Sequence, residues 1–272
     1  MMQVRTMGLS DLELVLGWAQ AEGWNPGIDD AAAFFAADPE GFFLAQVDGT
    51  PAAAISVVNH DAKHAFLGLY ICHPDFRGQG HGFALWARAL QHAGARSVGL
   101  EGVPDQQANY IASGFEWRGK TVRCAGQPPL GGGGCRQATL RDGAALRQAD
   151  RAAIGYDRDR FAQVWFAPSA TRQTYILETD GQMQGFATFR QCVEGIKVGP
   201  FYAQTEAQAL ELLAAGPADA PMFIDVPDGS ALHALVGRLG FVPTFETATM
   251  VKGVAPQTGF PPYGSVATLE LG

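Results

Sequence analysis

Residues 66–90 constrain the fold more tightly than any other stretch of the chain. Phe66-Leu67-Gly68-Leu69-Tyr70-Ile71-Cys72 reads as an apolar strand. It leaves through His73-Pro74 into a turn, Arg77-Gly78-Gln79-Gly80-His81-Gly82, and the turn opens directly into a helix. The helix reading rests on Phe83, Trp86, Ala87 and Leu90, spaced as one buried face, with Gly94 as the stop. Gly78, Gly80 and Gly82 lack side chains, so a ligand can come close to the backbone N–H groups. Amides at the positive end of a helix form an anion site, and Arg77 adds a fixed fork for phosphate oxygens.

The details narrow the anion. A P-loop closes with Gly-Lys-Ser/Thr, whereas Gly82 is followed by Phe83 and Ala84. A dinucleotide fingerprint reads Gly-x-Gly-x-x-Gly with an acidic residue about 20 positions on. Here Arg77 heads Gly78-x-Gly80-x-Gly82, and the acidic residue at that distance is Glu101. The net charge of −8 gives no basic footprint, so nucleic acid and anionic membrane are not expected partners. Cys72, Cys124, Cys135 and Cys192 have neither Cys-x-x-Cys pairing nor metal spacing, and no metal is expected. Without a leader-like apolar segment or a run of transmembrane length, the expected location is the cytoplasm.

At 272 residues the chain is long for one domain of this kind and fits two of about 130. Gly126-Gln127-Pro128-Pro129-Leu130-Gly131-Gly132-Gly133-Gly134 is the clearest linker, too dense in proline and glycine for helix or strand. Beyond it the pattern begins again. Arg136 to Asp142 echoes Arg5 to Asp11, Thr179-Asp180-Gly181 echoes Val47-Asp48-Gly49, Val226-Pro227-Asp228 echoes Val103-Pro104-Asp105, and Leu239-Gly240-Phe241 echoes Ser113-Gly114-Phe115. The order is kept throughout, which argues for a duplicated domain. Aligning Pro74 with Pro200 puts Ala203 at the place of Arg77 and Gln204, Glu206 and Gln208 at the places of the glycines, so the second copy is expected to hold no pyrophosphate. The alternating stretch Ser265 to Leu271 predicts a returning strand that pairs with a sheet or covers the domain junction.

The Arg-x-x-Gly-x-Gly arrangement between strand and helix, contained here in Arg77-Gly78-Gln79-Gly80-His81-Gly82, resembles the acetyl-CoA pyrophosphate loop of the GNAT superfamily of N-acyltransferases. The resemblance implies an α/β (α+β) fold of two tandem GNAT-like domains, each a mixed, mostly antiparallel twisted sheet flanked by helices. The expected boundaries are 1–125 for the catalytic domain, 126–135 for the linker and 136–272 for the degenerate second domain. It implies acetyl-CoA as co-substrate, with pantetheine along the backbone of Ile71, Cys72 and His73 and pyrophosphate at Arg77, Gly78, Gln79, Gly80, His81 and Gly82. His73 also reads as a plain turn residue, and His81 as a histidine facing either phosphate or solvent.

Tyr110, four residues before Gly114-Phe115, matches the general acid of many members; it also reads as a ring packed on the sheet. An acceptor amine is mostly protonated at neutral pH and needs a base, for which Glu101 is the first choice and Asp105 the second. Many members carry an asparagine seven residues before the tyrosine; here Val103 stands there, with Gln106, Gln107 and Asn109 as substitutes. Trp24 and Asn25 are expected at the acceptor site, or as a capping turn anchored by tryptophan. The reading is an N-acetyltransferase acting by direct attack of a primary amine, small-molecule most readily, as a monomer or homodimer. The rival is an acyl-CoA-binding sensor or scaffold without turnover.

Overall fold

The computed structural model describes residues 1–131 and 133–272; Gly132, within the expected linker, lies outside the described residues. The first half contains β1 (Met2–Thr6), α1 (Leu9–Ala21), α2 (Asp30–Ala37), β2 (Phe42–Val47), β3 (Thr50–Asn59), β4 (His64–Cys72), α3 (His81–Ala93), β5 (Ser97–Gly102), α4 (Gln107–Ala112) and β6 (Glu116–Gly126). The second contains β7 (Cys135–Gln137), α5 (Gly143–Ile154), α6 (Asp159–Trp165), β8 (Arg172–Thr179), β9 (Gln182–Gln191), β10 (Ile196–Ala203), α7 (Glu206–Leu213), β11 (Met222–Pro227), α8 (Ala231–Arg238), β12 (Val242–Lys252) and β13 (Tyr263–Ser265). Among the described residues no helix is long and apolar enough to cross a membrane.

All the strands join one mixed, mostly antiparallel sheet in the order β1-β2-β3-β4-β5-β12-β6-β11-β10-β9-β8-β7, with β13 on β10. The halves have therefore exchanged strands. β12 lies between β5 and β6, with Ala248–Lys252 against Val98–Gly102 and Val242–Val251 against Glu116–Ala125. β6 in turn pairs with β11, from Met222↔Gly126 to Pro227↔Thr121.

Strand alternation builds the core on both faces. Phe43, Ala45, Ile55, Leu67 and Leu100 pack beneath α3, while Phe42, Leu44, Ala54, Leu69 and Ile71 pack toward α1 and α2. This second core runs on into the other half through Phe161, Trp165 and Phe186, and Phe34 stacks on Trp165 with ring centroids 6.3 Å apart. The helix after the glycine loop is present, but its buried face is Leu85, Trp86, Ala89 and Ala93, and Phe83 is exposed. The apolar spacing marked the helix correctly and its inward direction wrongly, because Phe83 stands on the open first turn beside the groove.

Three of the four sequence echoes are repeated local structures; in the fourth, Pro104 opens a turn after β5 while Pro227 still belongs to β11. Arg5 and Arg136 grip Asp11 and Asp142 bidentately at 2.7–3.0 Å, and each aspartate accepts a backbone N–H three residues earlier at 2.8 Å. Asp48-Gly49 and Asp180-Gly181 both take positive φ, as a two-residue hairpin turn requires. Phe115 N–H bonds to Tyr110 O, and Phe241 N–H to Val236 O, both at 3.0 Å after a left-handed glycine.

β4 and β5 separate where a cofactor arm is expected. Their parallel register covers only His64–Leu67 with Ser97–Leu100; beyond it β4 bulges, with Leu69 at φ 47°. In the second half the corresponding bulge lies between Val198 and Phe201. Matching the bulges corrects the alignment of Pro74 with Pro200: Pro200 lies inside the strand, Ala203 falls level with Cys72, and only Gln204 and Thr205 join β10 to α7. The loop is absent there rather than substituted. Residues 266–271 form no strand either; the strand of this segment is β13, pairing with Phe201–Ala203. Ala267, Thr268, Glu270 and Leu271 beyond it are buried between the halves.

This buried segment presses on β4. A Cβ on Gly68 would stand 2.0 Å from the Glu270 carbonyl oxygen. Gly68→Ala is expected to cost about 2–3 kcal/mol of stability by urea unfolding, because backbone must move to admit it. Gly119→Ala on β6, where nothing lies within 4 Å, is the control, with a change below about 0.5 kcal/mol. Equal effects at the two positions would contradict the packing described.

Candidate active site

Two adjoining hollows begin where β4 leaves β5. The outer groove is lined by Tyr70, Ile71, Cys72, Arg77, Gly78, Gly80, His81, Gly82, Asp105 and Gln106. The inner cavity is lined by Leu67, Leu69, Leu100, Glu101, Tyr110, Arg123, Phe245, Thr247, Leu269 and Glu270. Trp24, Tyr70 and Val103 border both.

The groove has the makings of an anion site. Gly78 and Gly80 have φ of 75° and 80°, and neither has an atom within 4 Å of where a Cβ would be. Only glycine takes this backbone without strain, and its amides stay open to a ligand. Gly82 is needed for another reason: a Cβ there would meet the Tyr70 hydroxyl at 2.7 Å. Arg77 donates through Nε to Cys72 O at 3.0 Å and pairs through Nη2 with Glu22, so it ties the loop back to β4 and α1. His81 lines the groove and its Nε2 is buried without a hydrogen-bond partner. The His73 N–H is taken by Ala52 O at 2.9 Å. By strand alternation Cys72, one residue earlier, turns its amide to the open side facing β5. Gln106 reaches the groove, braced by Asn109 Nδ2 at 2.9 Å.

In the cavity, Glu101 is held by strands of both halves. Thr247 Oγ1 donates to its Oε2 at 2.5 Å, and Thr249 and Thr121 donate to its Oε1 at 2.8 and 3.1 Å. Burial pushes its pKa up to about 7, although the three hydroxyls favour the charged form; the Asp225 charge also pushes it up. A carboxylate titrating near neutrality is suited to accepting a proton. Tyr110 is buried with its ring stacked on Trp86 at 5.6 Å, and burial, then Tyr70, holds its pKa above the ordinary phenol value. It therefore stays protonated at neutral pH, as a proton donor must.

Trp24 borders the cavity, and two buried cations fix its carbonyl: Arg123 Nη1 at 2.9 Å and Lys197 Nζ at 2.8 Å. Arg123 is itself locked to Asp225 by two bonds of 2.7 and 2.9 Å. Asn25 turns away from the cavity. Its side-chain amide donates to Glu194 O at 2.8 Å and accepts from Glu194 N at 3.2 Å, which clamps the first half to the β9–β10 hairpin. The structure thus brings Glu101, Tyr110 and Trp24 together at the cavity and leaves Asn25 in the domain contact.

The chain resembles known proteins in sequence as well as fold. A family model described as "Acetyltransferase (GNAT) family" matches residues 11–111, and one described as "Acetyltransferase (GNAT) domain" matches residues 146–259. A holothin acyltransferase from Pseudoalteromonas sp. (strain SANK 73390) is 32% identical, over 97% of this chain and 92% of that protein. The chain belongs to the GNAT acyltransferase family. A putative acetyltransferase from Pyrococcus horikoshii has the same fold over 100% of this chain and 96% of its own, with TM-score 0.82 at 18% identity. A tandem GNAT protein from the clavulanic acid biosynthesis pathway covers 94% of this chain and 100% of its own, with TM-score 0.62 at 14% identity.

Sequence reasoning singled out Glu101, which the structure places in the cavity wall, and missed what holds it. Thr247-Ala248-Thr249 places two hydroxyls on one strand face, a readable signal, but nothing local says that the strand docks beside β5. Tyr70, Phe245, Leu269 and Glu270 carry no comparable signal, and only the fold makes them cavity walls. Acylation should rise with pH through about 7 as Glu101 loses its proton. Thr249→Val removes a donor to the carboxylate, so the carboxylate becomes harder to ionise and the rising limb moves to higher pH, by about one unit. A kcat/KM profile unmoved by Thr249→Val would exclude Glu101 as the titrating group.

Proposed function

We propose that the first half binds acetyl-CoA and transfers its acetyl group to a primary amine by direct attack. The observation that carries this reading is Glu101: a buried carboxylate, held by threonine hydroxyls, lining a cavity that shares its border with a groove suited to a phosphate-bearing ligand. The groove residues fit an acyl-CoA. The open glycine amides and the N-terminus of α3 suit pyrophosphate, and the unpaired edge of β4 at Cys72 suits the amides of the pantetheine arm. Bound there, acetyl-CoA supplies an activated carbonyl carbon and a thiolate leaving group.

The residues of the chain do the rest. Glu101 accepts the proton that the amine must shed to attack, and its position within a cavity keeps that exchange away from bulk solvent. Tyr110 donates its phenolic proton to the departing sulfur and keeps it until then because burial disfavours the phenolate. Arg77, paired with Glu22 and bonded to Cys72 O, fastens the loop so that its amides face the pyrophosphate. Trp24, fixed by Arg123 and Lys197, forms the wall between groove and cavity. The holothin acyltransferase supports a small-molecule acceptor for this chain as well.

The second half takes no cofactor in this reading. β13 fills the gap beside β10, and the first amides of α7 are enclosed by a cap in which Gln208 N–H bonds to Thr205 Oγ1 at 3.3 Å. Tyr110→Phe is expected to lower kcat by 10²–10³-fold, about 3–4 kcal/mol, with the Kd for acetyl-CoA within twofold of the parent. Glu101→Gln should flatten the pH profile. Full turnover in Tyr110→Phe, measured by thiol release, would remove Tyr110 from the chemistry; loss of acetyl-CoA affinity would make it structural.

A further inference from the structure

Strand β5 reads Ser97-Val98-Gly99-Leu100-Glu101, so alternation sets Ser97, Gly99 and Glu101 on one face. Across the ladder, Thr249 stands beside Glu101 and Val251 beside Gly99. Gly99 lets the Phe66 ring pack close against that face, and a Cβ there would meet the ring at 3.2 Å. Beside that ring is a third chamber, a void of about 760 Å³ including its mouth. Its walls are Phe66, Ile154, Tyr156, Val251 and Phe260, and the exposed Thr258 stands at its rim. It shares Leu100 and Glu101 with the inner cavity and has no residue in common with the outer groove. Glu101 is therefore the partition between the cofactor side and an apolar room on the other side.

We propose that this chamber receives the body of the acceptor, and that the acceptor is a small monoamine carrying an apolar or aromatic group. This rests on Glu101 as the base. A nucleophile must reach Glu101 from the side that the thioester does not fill, and the chamber is the hollow that does so. Its lining offers one carboxylate side chain, Glu101; the other polar side chains are His64, Ser97, Tyr156, Thr249 and Thr258, and the Gly272 oxygen in the same wall is bonded to Arg158. One amine nitrogen finds its partner at Glu101, and the rest of the molecule meets aromatic and aliphatic walls. A second ammonium group on the same molecule would be buried against those walls with no second carboxylate side chain to meet it, which selects against polyamines, and the hydroxyls of an amino sugar would lose their water there without partners enough to replace it. The inner cavity suits such a body less well, since its void is smaller, about 540 Å³, and Arg123 and Glu270 add charged groups to its wall.

The test uses the full chain, with 2-phenylethylamine and spermidine as probes. Calorimetry on the CoA-saturated protein reads the chamber apart from chemistry, and steady-state acetylation reads both. 2-Phenylethylamine should bind and be acetylated with kcat/KM at least 100-fold above spermidine. Thr258→Trp narrows the mouth from an exposed position, so the KM and Kd for 2-phenylethylamine should rise at least tenfold while the KM for acetyl-CoA stays within twofold. Binding of 2-phenylethylamine that Thr258→Trp weakens, without acetylation, would keep the chamber and overturn the transfer reading. Acetylation of spermidine over 2-phenylethylamine, or amine binding indifferent to Thr258→Trp, would overturn the chamber and leave the transfer reading standing.

Discussion

Strand β12 gives its backbone to β5 along one edge and to β6 along the other, and the rest of the molecule is arranged around that double ladder. Without it, two strands of the first half would bury unpaired N–H and C=O groups, each costing on the order of a lost hydrogen bond or more. The same strand carries Thr247 and Thr249 to the Glu101 carboxylate. Architecture and chemistry therefore share one element. The Arg123–Asp225 pair, joining β6 to β11 beneath the Trp24 carbonyl, ties the remaining edge of the exchange to the same place. Dividing the chain at its glycine-rich linker would leave each half without a strand that its neighbour supplies.

The two halves show how little separates a binding site from a scaffold. Both have a bulged strand that parts from its parallel neighbour, a small helix closing through Gly-Phe, and a helix facing the gap. In the first half the gap is left open, and the helix begins from glycine with its amides uncovered. In the second, β13 occupies the gap and Thr205 and Gln208 satisfy the helix start internally. The difference lies in where a few hydrogen bonds go.

The range of each interaction decides how much of this was legible in the sequence. The duplication showed because its marks are local: a positive φ at Asp48-Gly49 and Asp180-Gly181, and an Arg–Asp grip spanning six residues. The glycine loop showed because only glycine tolerates its backbone. Strand exchange left no mark, since ladder bonds use backbone groups that every residue except proline shares. Asn25 looked like a substrate amide because nothing near it announced Glu194, far along the chain. Phe83 looked buried because the spacing of apolar residues fixes a helix and not the direction of its core. Glu101 was visible as a strand carboxylate, while its three threonines lie 20 to 148 residues away.

The placement of β12 also orders events in time. During synthesis, β5 and β6 have left the ribosome while the strand that must separate them, Val242–Lys252, is still unmade. At ordinary elongation rates the wait is roughly ten seconds. For that interval the nascent first half carries two strand edges that belong apart, and pairing them directly would be a kinetic trap. The charged and glycine-bearing stretch Glu116-Trp117-Arg118-Gly119-Lys120 at the start of β6 is poorly suited to such premature pairing, so the composition of that strand guards a gap its partner has yet to fill.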